Sequence, residues 1–472
     1  MAQGGYGGGY DQGQGGEYQQ QQYPPQAGPQ MGPPGGAAPP KPSGGGKTIA
    51  IAVVILVIAA VVSAAAFIVL SAPPPPPPPN GNGGGGNVTL KIGVILSQSG
   101  QLGQDGAIMV QGVKLKADEI NAAGGFKMGN KTAKIDLVIE DDGTDPNKGR
   151  VAAEKLVNVD KVQAIVGDTG STICLAIETV TGPAKVPIVS PSCTSPKLST
   201  KPWIFRTVGS DVFQGKAMAD VALALKKAGK VGNKIALFAV ANDYGLGVKD
   251  ENEKRAIANG QEVIFNQQFI ENQVDYDAQA AALKSAKDAQ SPTEAITVLY
   301  TSYPEDAITF FGSVGKLGLT PANGYIWIGN DGIANSDVFV GNTNVNQYIQ
   351  NMYVTNPTSK PGDSDWGKFQ SAFKTKYGAE PTAYAGTAYD ALSVIVAAIM
   401  KAGKYDGTAI KDALNSFTGA DAFKGVSGVK DYDANGDIKG QYYQIYKVSG
   451  TTFVATGGWW EDPTKGVQDF VP

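Results

Sequence analysis

The chain has 472 residues, 62 of them Gly and 29 Pro, with a formal net charge of −4. That acidic balance excludes the basic surface that nucleic acid requires. His is absent and there are two Cys, which removes His general bases, His metal ligands, four-thiolate zinc and iron–sulfur clusters.

What remains is carboxylate, hydroxyl, amide and aromatic chemistry. The expectation is a binding protein with no metal, no cofactor and no enzymatic activity. Residues 1–47 are Gly, Gln, Pro and Tyr with almost no aliphatic side chains. Such a stretch buries too little apolar surface to offset backbone entropy, so it reads as a disordered tail.

Residues 48–72, TIAIAVVILVIAAVVSAAAFIVLSA, carry no charge. As a helix they would run about 37 Å, enough to cross a hydrocarbon core of about 30 Å. The apolar run is longer than a signal peptide's and starts farther from the amino terminus, which favours an uncleaved signal anchor. Lys41 and Lys47 precede it and no charge follows until Lys91. The positive-inside rule then places the tail in the cytoplasm and everything beyond outside, as a single-pass membrane protein. Residues 73–87 begin with a proline run and end in Asn and Gly, a stiff stalk followed by a swivel.

Residues 88–472 are too many for one core and suit two lobes. Short apolar runs alternate with helix-period segments: LKIGVIL (90–96), AKIDLVIED (133–141), VQAIVG (162–167), VPIVS (186–190), KIALFAVA (234–241), EAITVLY (294–300) and YIWIG (325–329). Asp145 and Pro146 read as N-cap and first position of one of the helices between them. Buried strands alternating with helices predict an α/β fold of two doubly wound, Rossmann-like lobes. Ligands of such sheets bind at the carboxyl ends of the strands. The exits here read SQSGQLGQDG, DTGST, PSCTSP, NDYG, TSYPED and NDG, rich in hydroxyls, with two tyrosines and carboxylates.

The segments KIGVILSQSGQLGQDG, IEDDGTDPNKG, IVGDTGST, VPIVSPSCTSPKL, FRTVGSD, ANDYGLG, YTSYPED, AYAGTAYDAL and DYDANGDIKG, in that order and spacing, resemble the branched-chain amino-acid (Leu/Ile/Val) binding proteins of ABC transporters. The resemblance covers residues 88–472. It implies the type I periplasmic-binding-protein fold, with lobe I at 88–207 plus 356–435 and lobe II at 208–355 plus 436–472. It implies hinges near Arg206–Asp211, Val354–Lys360 and Gly436–Gln441. It further implies a small-molecule solute, an amino acid above all, delivered to an ABC permease. A ligand-sensing ectodomain without a transport role is the alternative.

Carried over by position, Gly170 and Ser171 lie where the family offers backbone N–H groups and a hydroxyl to a ligand carboxylate. Ser192 and Thr194 would complete the carboxylate and ammonium contacts. Asp331 matches the acid that pairs with the ammonium, where the family often has Glu. Tyr244 and Tyr303 match aromatics that cover the ligand. Asp105 departs from the pattern, standing where many amino-acid binders carry an aromatic residue. It either favours a ligand with an extra amine or hydroxyl or points to solvent. The bridge common in relatives is absent, since Thr144 and Gly170 stand near its places. Cys174 and Cys193 flank the predicted carboxylate site and are candidates for a disulfide, with two small buried thiols as the alternative. DYDANGD (431–437) begins like a calcium loop, but Tyr442 stands where a bidentate Glu is needed, so a turn is expected.

Overall fold

The computed structural model describes residues 86–472, save Asn335, 360–363 and 462–464. The tail, the apolar segment at 48–72, nearly all of the stalk and Lys360 of the second expected hinge lie outside the described residues.

The chain opens with β1 (Asn87–Ile95), α1 (Gly103–Ala122), β2 (Phe126–Met128), β3 (Lys131–Glu140), α2 (Pro146–Asn158), β4 (Ile165–Gly167), α3 (Ser171–Thr181), β5 (Ile188–Ser190) and β6 (Ile204–Arg206). These strands form a six-stranded sheet in the order β2-β3-β1-β4-β5-β6. All its pairs are parallel except β2 with β3. Asp145 caps α2, its carboxylate accepting from the N–H groups of Asn147 and Lys148, and Pro146 takes the first helical position, where its missing N–H costs nothing.

The second sheet follows from α4 (Asp211–Lys227), β7 (Lys234–Val240), α5 (Asp243–Ala258), β8 (Glu262–Phe269), α6 (Asp277–Gln290), β9 (Ile296–Thr301), α7 (Pro304–Leu317), β10 (Tyr325–Gly329), the short helices α8 (Asp337–Val340) and α9 (Asn346–Ile349), and β11 (Tyr353–Thr358). The chain then returns to the first half through α10 (Ser364–Tyr377), α11 (Ala383–Ala402), α12 (Gly407–Asn415) and the small hairpin β12 (Phe423–Gly425) and β13 (Gly428–Lys430). It ends with β14 (Tyr442–Ser449), β15 (Thr452–Glu461) and β16 (Gly466–Gln468) on the edge of an eight-stranded sheet, ordered β16-β15-β14-β11-β10-β9-β7-β8.

The two sheets are mixed rather than parallel throughout, the departures lying at their edges. β14, β15 and β16 pair antiparallel, because β14 and β15 are joined by a tight turn in which Gly450 has φ 59°. A parallel pair would need a long crossover instead. Asn356, Pro357 and Thr358 pair with Gln444, Tyr443 and Tyr442, so the chain leaves the second sheet after Thr358.

All six residues of β9, ITVLYT, are buried, as expected for a central strand covered on both faces. Tyr300 of β9 joins Phe238 of β7, Trp327 of β10 and Phe310 and Phe311 of α7 in one cluster of stacked and edge-to-face rings. The helix α11 is long and apolar enough to cross a membrane by length and composition, but 72% of it is buried inside the fold. It is the core helix of the first half and lies directly on α1. A Cβ at Gly112 of α1 would sit 2.2 Å from the carbonyl oxygen of Ala385, so glycine is what allows the two backbones to meet.

This contact generates a paired prediction. Gly112→Ala should lower stability by about 1–3 kcal/mol through overpacking. Gly367→Ala, in α10 where a Cβ meets nothing within 4 Å, should stabilise by up to about 1 kcal/mol through helix propensity. Thermal melting of the two variants checks it; equal effects would show that α1 and α11 do not pack this closely.

Candidate functional site: a cleft between the two sheets

The carboxyl ends of the parallel strands in both sheets face one cleft, whose space not filled by atoms, including the part open to solvent, is about 360 Å³. Its walls are Leu102, Asp105 and Met109 at the start of α1, Thr169 and Ser171 after β4, Ser192 after β5, and Tyr384 in the first turn of α11. From the second half come Tyr244 after β7, Tyr303 after β9, and Asp331 with Gly332 after β10. Ser171, Ser192, Tyr244, Tyr303, Asp331 and Asp105 thus meet around one space. Gly170 and Thr194 stand behind the wall: Gly170 is the N-cap of α3, and Thr194 is buried, its backbone N–H bonded to the Ser171 hydroxyl oxygen.

On one wall the helix α3 begins without a side-chain cap. Its first N–H groups have no partner within the helix, and the positive end of its dipole faces the cleft. The Ser171 Oγ accepts from the N–H groups of Thr194 and Ser195, each at 3.1 Å. Both lone pairs are then occupied and its single O–H remains to be donated. Thr169 is similar: its Oγ1 accepts from the Ser97 N–H at 3.0 Å, leaving the proton free. Ser192 is the reverse. Its hydroxyl donates to the carbonyls of Asp168 and Thr169, at 3.0 and 2.9 Å, so it has acceptor capacity left. Ser171, Thr169 and the start of α3 thus offer neutral donors suited to an anion, with Ser192 beside them as an acceptor.

The disulfide Cys174–Cys193 (S–S 1.95 Å, Cα–Cα 6.6 Å) ties α3 to the loop after β5. The serines on either side of that link are therefore held in one rigid patch.

The opposite wall carries Asp331, buried at 3% exposure. The Tyr244 hydroxyl donates to its Oδ1 and the Tyr384 hydroxyl to its Oδ2. The Tyr244 oxygen also accepts from the Asn330 side-chain amide and from the Gly332 N–H at 3.1 Å. All its hydrogen-bonding capacity serves to hold Asp331 in place. A side chain at Gly332 would collide with the Ser302 carbonyl and the Tyr244 hydroxyl. Tyr303 stacks on Tyr244, ring centroids 5.5 Å apart and 16° from parallel.

Burial pushes the Asp331 carboxyl up, against the pull of the Tyr244, Tyr384 and Gln214 hydrogen bonds. Asp105, half-buried at the helix start, is pushed up to about 7 by loss of solvent and then by the Asp331 charge beside it. Burial and Asp331 raise Asp211 behind the wall well above the usual range. Among the described residues the cleft lining holds two carboxylates and no Lys or Arg. Such a field favours a cation.

Contacts cross the cleft besides the Tyr384–Asp331 bond. Gln101 Nε2 donates to Asp306 Oδ2 at 2.8 Å, and Lys197 Nζ lies 2.6 Å from Asp243 Oδ1. Among the described residues no group of three or more Cys, Asp or Glu is placed to hold a metal ion. In the run DYDANGD, Asp433 Oδ1 accepts from the N–H groups of Asn435 and Asp437 at 2.8 and 3.0 Å. That is a self-capped turn.

Tyr384, Thr169, Leu102, Met109 and Gly332 were not singled out from the sequence. Thr169 sits inside the quoted exit DTGST. Tyr384 sits inside the quoted segment AYAGTAYDAL but follows no strand, arriving on a helix from a different part of the chain after Thr382 caps α11.

The chain matches the family model for the periplasmic binding proteins over residues 89–452. It is similar to a leucine-, isoleucine-, valine-, threonine- and alanine-binding protein of Pseudomonas aeruginosa, 26% identical over 363 residues, 76% of this chain and 90% of the relative. The branched-chain amino acid transporter substrate-binding protein LivJ of Streptococcus pneumoniae, solved with isoleucine, superposes with a TM-score of 0.65. It is 25% identical and the match covers 78% of this chain and 100% of that one. A solute-binding protein of an ABC transporter from Rhodopseudomonas palustris, solved with 3,4-dihydroxybenzoic acid, shares the fold at 21% identity, a TM-score of 0.63 and coverage of 81% and 98%. With two α/β sheets meeting at such a cleft and the family model matched along most of its length, the chain belongs to the periplasmic binding protein family.

Proposed function

We propose that the protein captures an amino acid between two lobes outside the cytoplasm and delivers it to an ABC importer, without catalysing a reaction. The lobes are residues 88–207 plus 359–435 and residues 208–358 plus 436–472, closing about the segments that link them. The residues at 48–72 hold the chain in the membrane, with the tail inside and the binding domain outside.

One observation carries this reading. The cleft sets free donors on one wall, from Ser171, Thr169 and the start of α3, against the oriented carboxylate of Asp331 on the other. That is complementary to a zwitterion: carboxylate to the helix end, ammonium to Asp331. The relatives named for branched-chain amino acids support it. The dihydroxybenzoate-bound neighbour raises a second ligand class. An aromatic acid brings an anion and no cation, which Asp331 and Asp105 would repel.

Three outcomes test it. Asp331→Ala should weaken binding of the tightest binder among the twenty protein amino acids by about 2–5 kcal/mol, since a buried ammonium loses its partner. Tyr384→Phe should cost about 1.5–3 kcal/mol, one hydrogen bond to a charged group. Titration calorimetry measures both, and unchanged affinity in Asp331→Ala would refute the assignment.

The second concerns ligand class. In a thermal-shift screen, an amino acid at about 100 times its Kd should stabilise the protein by about 2.7 kcal/mol, and 3,4-dihydroxybenzoate should give no shift. The reverse result would replace the amino acid by an aromatic acid.

The third concerns pH. The Asp105 carboxyl is held up to about 7 in the free cleft, in part by the Asp331 charge; an ammonium that balances Asp331 removes that repulsion and draws the proton off Asp105. Binding therefore releases protons, and affinity falls as pH is lowered through that value. Calorimetry in two buffers of different ionisation enthalpy reads the release; proton uptake on binding would contradict the placement of the ammonium.

A further inference from the structure

The cleft holds one ionisable side chain that the protein leaves without a partner. Both oxygens of Asp331 are occupied by tyrosine hydroxyls. Asp105 differs. Among the described residues no hydrogen bond or ion pair acts on its carboxylate; the charge that acts on it is the like charge of Asp331, and its own charge helps to raise the Tyr384 phenol. An acid in the first turn of a helix is stabilised by the dipole, but any first-turn position pointing outward would serve that purpose. Asp105 instead shares a face of α1 with Met109, four residues on, and both line the cleft with Leu102. The α-carboxylate and α-ammonium of an amino acid are already provided for by the α3 start and Asp331. What the α1 wall adds is an apolar strip from Leu102 and Met109 with a carboxylate beside it.

An aliphatic stem fits the strip, and a cationic nitrogen at its end fits the carboxylate. A purely aliphatic side chain would leave Asp105 desolvated and unpaired in the closed cleft, a costly arrangement. We infer that the cleft selects amino acids whose side chain is an aliphatic stem ending in a cationic nitrogen, with Asp105 as the residue that sets this preference. The inference rests on the zwitterion reading of the same site.

The test is titration calorimetry on the full-length chain with L-lysine, L-ornithine, L-norleucine, L-leucine and cadaverine. Lysine or ornithine should bind at least about 10-fold tighter than norleucine, which keeps the stem and lacks the charge. In Asp105→Asn that preference should collapse, and in Asp105→Glu, which keeps the carboxylate, it should persist; melting curves establish that both variants fold. Tighter binding of norleucine or leucine than of either basic amino acid overturns the inference and leaves the zwitterion site standing. A preference for lysine that survives in Asp105→Asn overturns the role of Asp105. Cadaverine has both nitrogens and no carboxylate. Cadaverine binding as tightly as lysine, or no amino acid binding at all, overturns the zwitterion reading and the inference with it.

Discussion

The guanidinium of Arg206 is wholly buried at the end of β6, and the site hangs from it. Its Nε donates to Asp437 at 2.8 Å, its Nη1 to the carbonyls of Thr194 and Ser195 at 2.7 and 3.0 Å, and its Nη2 to the Ser199 hydroxyl at 2.9 Å. A charge this deep is tolerated only when nearly every N–H is used and a counter-ion is present. Meeting those demands pins the loop after β5. The N–H groups of that same Thr194 and Ser195 then grip the Ser171 oxygen. The donor direction of Ser171 is therefore decided by a cation that never touches the ligand. Asp211, which opens the crossing into the second half, also donates its N–H to the Thr194 carbonyl, at 2.8 Å. The Arg206 N–H bonds to the Gly436 carbonyl, at 3.1 Å, where the chain crosses back. One buried ion thus couples the anion-facing wall to two of the strands between the halves.

The opposite wall is organised by a carboxylate rather than a cation. Asp331 is held by phenols, which polarise and orient it without neutralising it. Had a Lys or Arg done that work, the carboxylate would be spent within the protein. Using Tyr244 and Tyr384 leaves the carboxylate without a counter-ion of the protein's own, as its proposed pairing with a ligand ammonium requires. The stacked Tyr303 then covers the same space with apolar surface.

Much of this was legible in the sequence because strand exits announce themselves. Ser171, Ser192, Tyr244, Tyr303 and Asp331 each follow an apolar run of five to eight residues, and parallel strands bring all such exits to one edge. The α/β alternation was readable for the same reason. Tyr384 was not, because its place in the cleft depends on how α11 packs on α1 through Gly112, a tertiary contact with no local periodicity. Thr194 was legible as a polar loop residue, but which of its atoms would be used was decided by Arg206. The antiparallel edge of the second sheet escaped because QYYQIYKVSGTTFVATGGWW alternates weakly and carries no helix between its strands. For the disulfide, two cysteines near one loop left a bridge and two free thiols equally open; the 6.6 Å Cα separation comes from the packing of α3 against β5.

Tyr384 belongs to the first half and Asp331 to the second, so the bond that orients the acid is also a bond across the cleft. In an opened cleft Asp331 would regain water and lose one of its phenols, and its carboxyl would ionise readily. Closing an empty cleft removes that water while bringing Asp105 and Asp331 together as like charges. Desolvation and repulsion both oppose it. A cation entering between them reverses the sign of both terms, because desolvation then strengthens an attraction instead of a repulsion. The cross-cleft contacts of Gln101 with Asp306 and of Lys197 with Asp243 are individually weak and partly exposed, worth about 1 kcal/mol or less each. They can favour the closed form once the charge is balanced but not before. If the cleft works as proposed, an acidic lining without a cation among the described residues would make closure conditional on the ligand, and would place the condition on the charge of the ligand rather than on its shape.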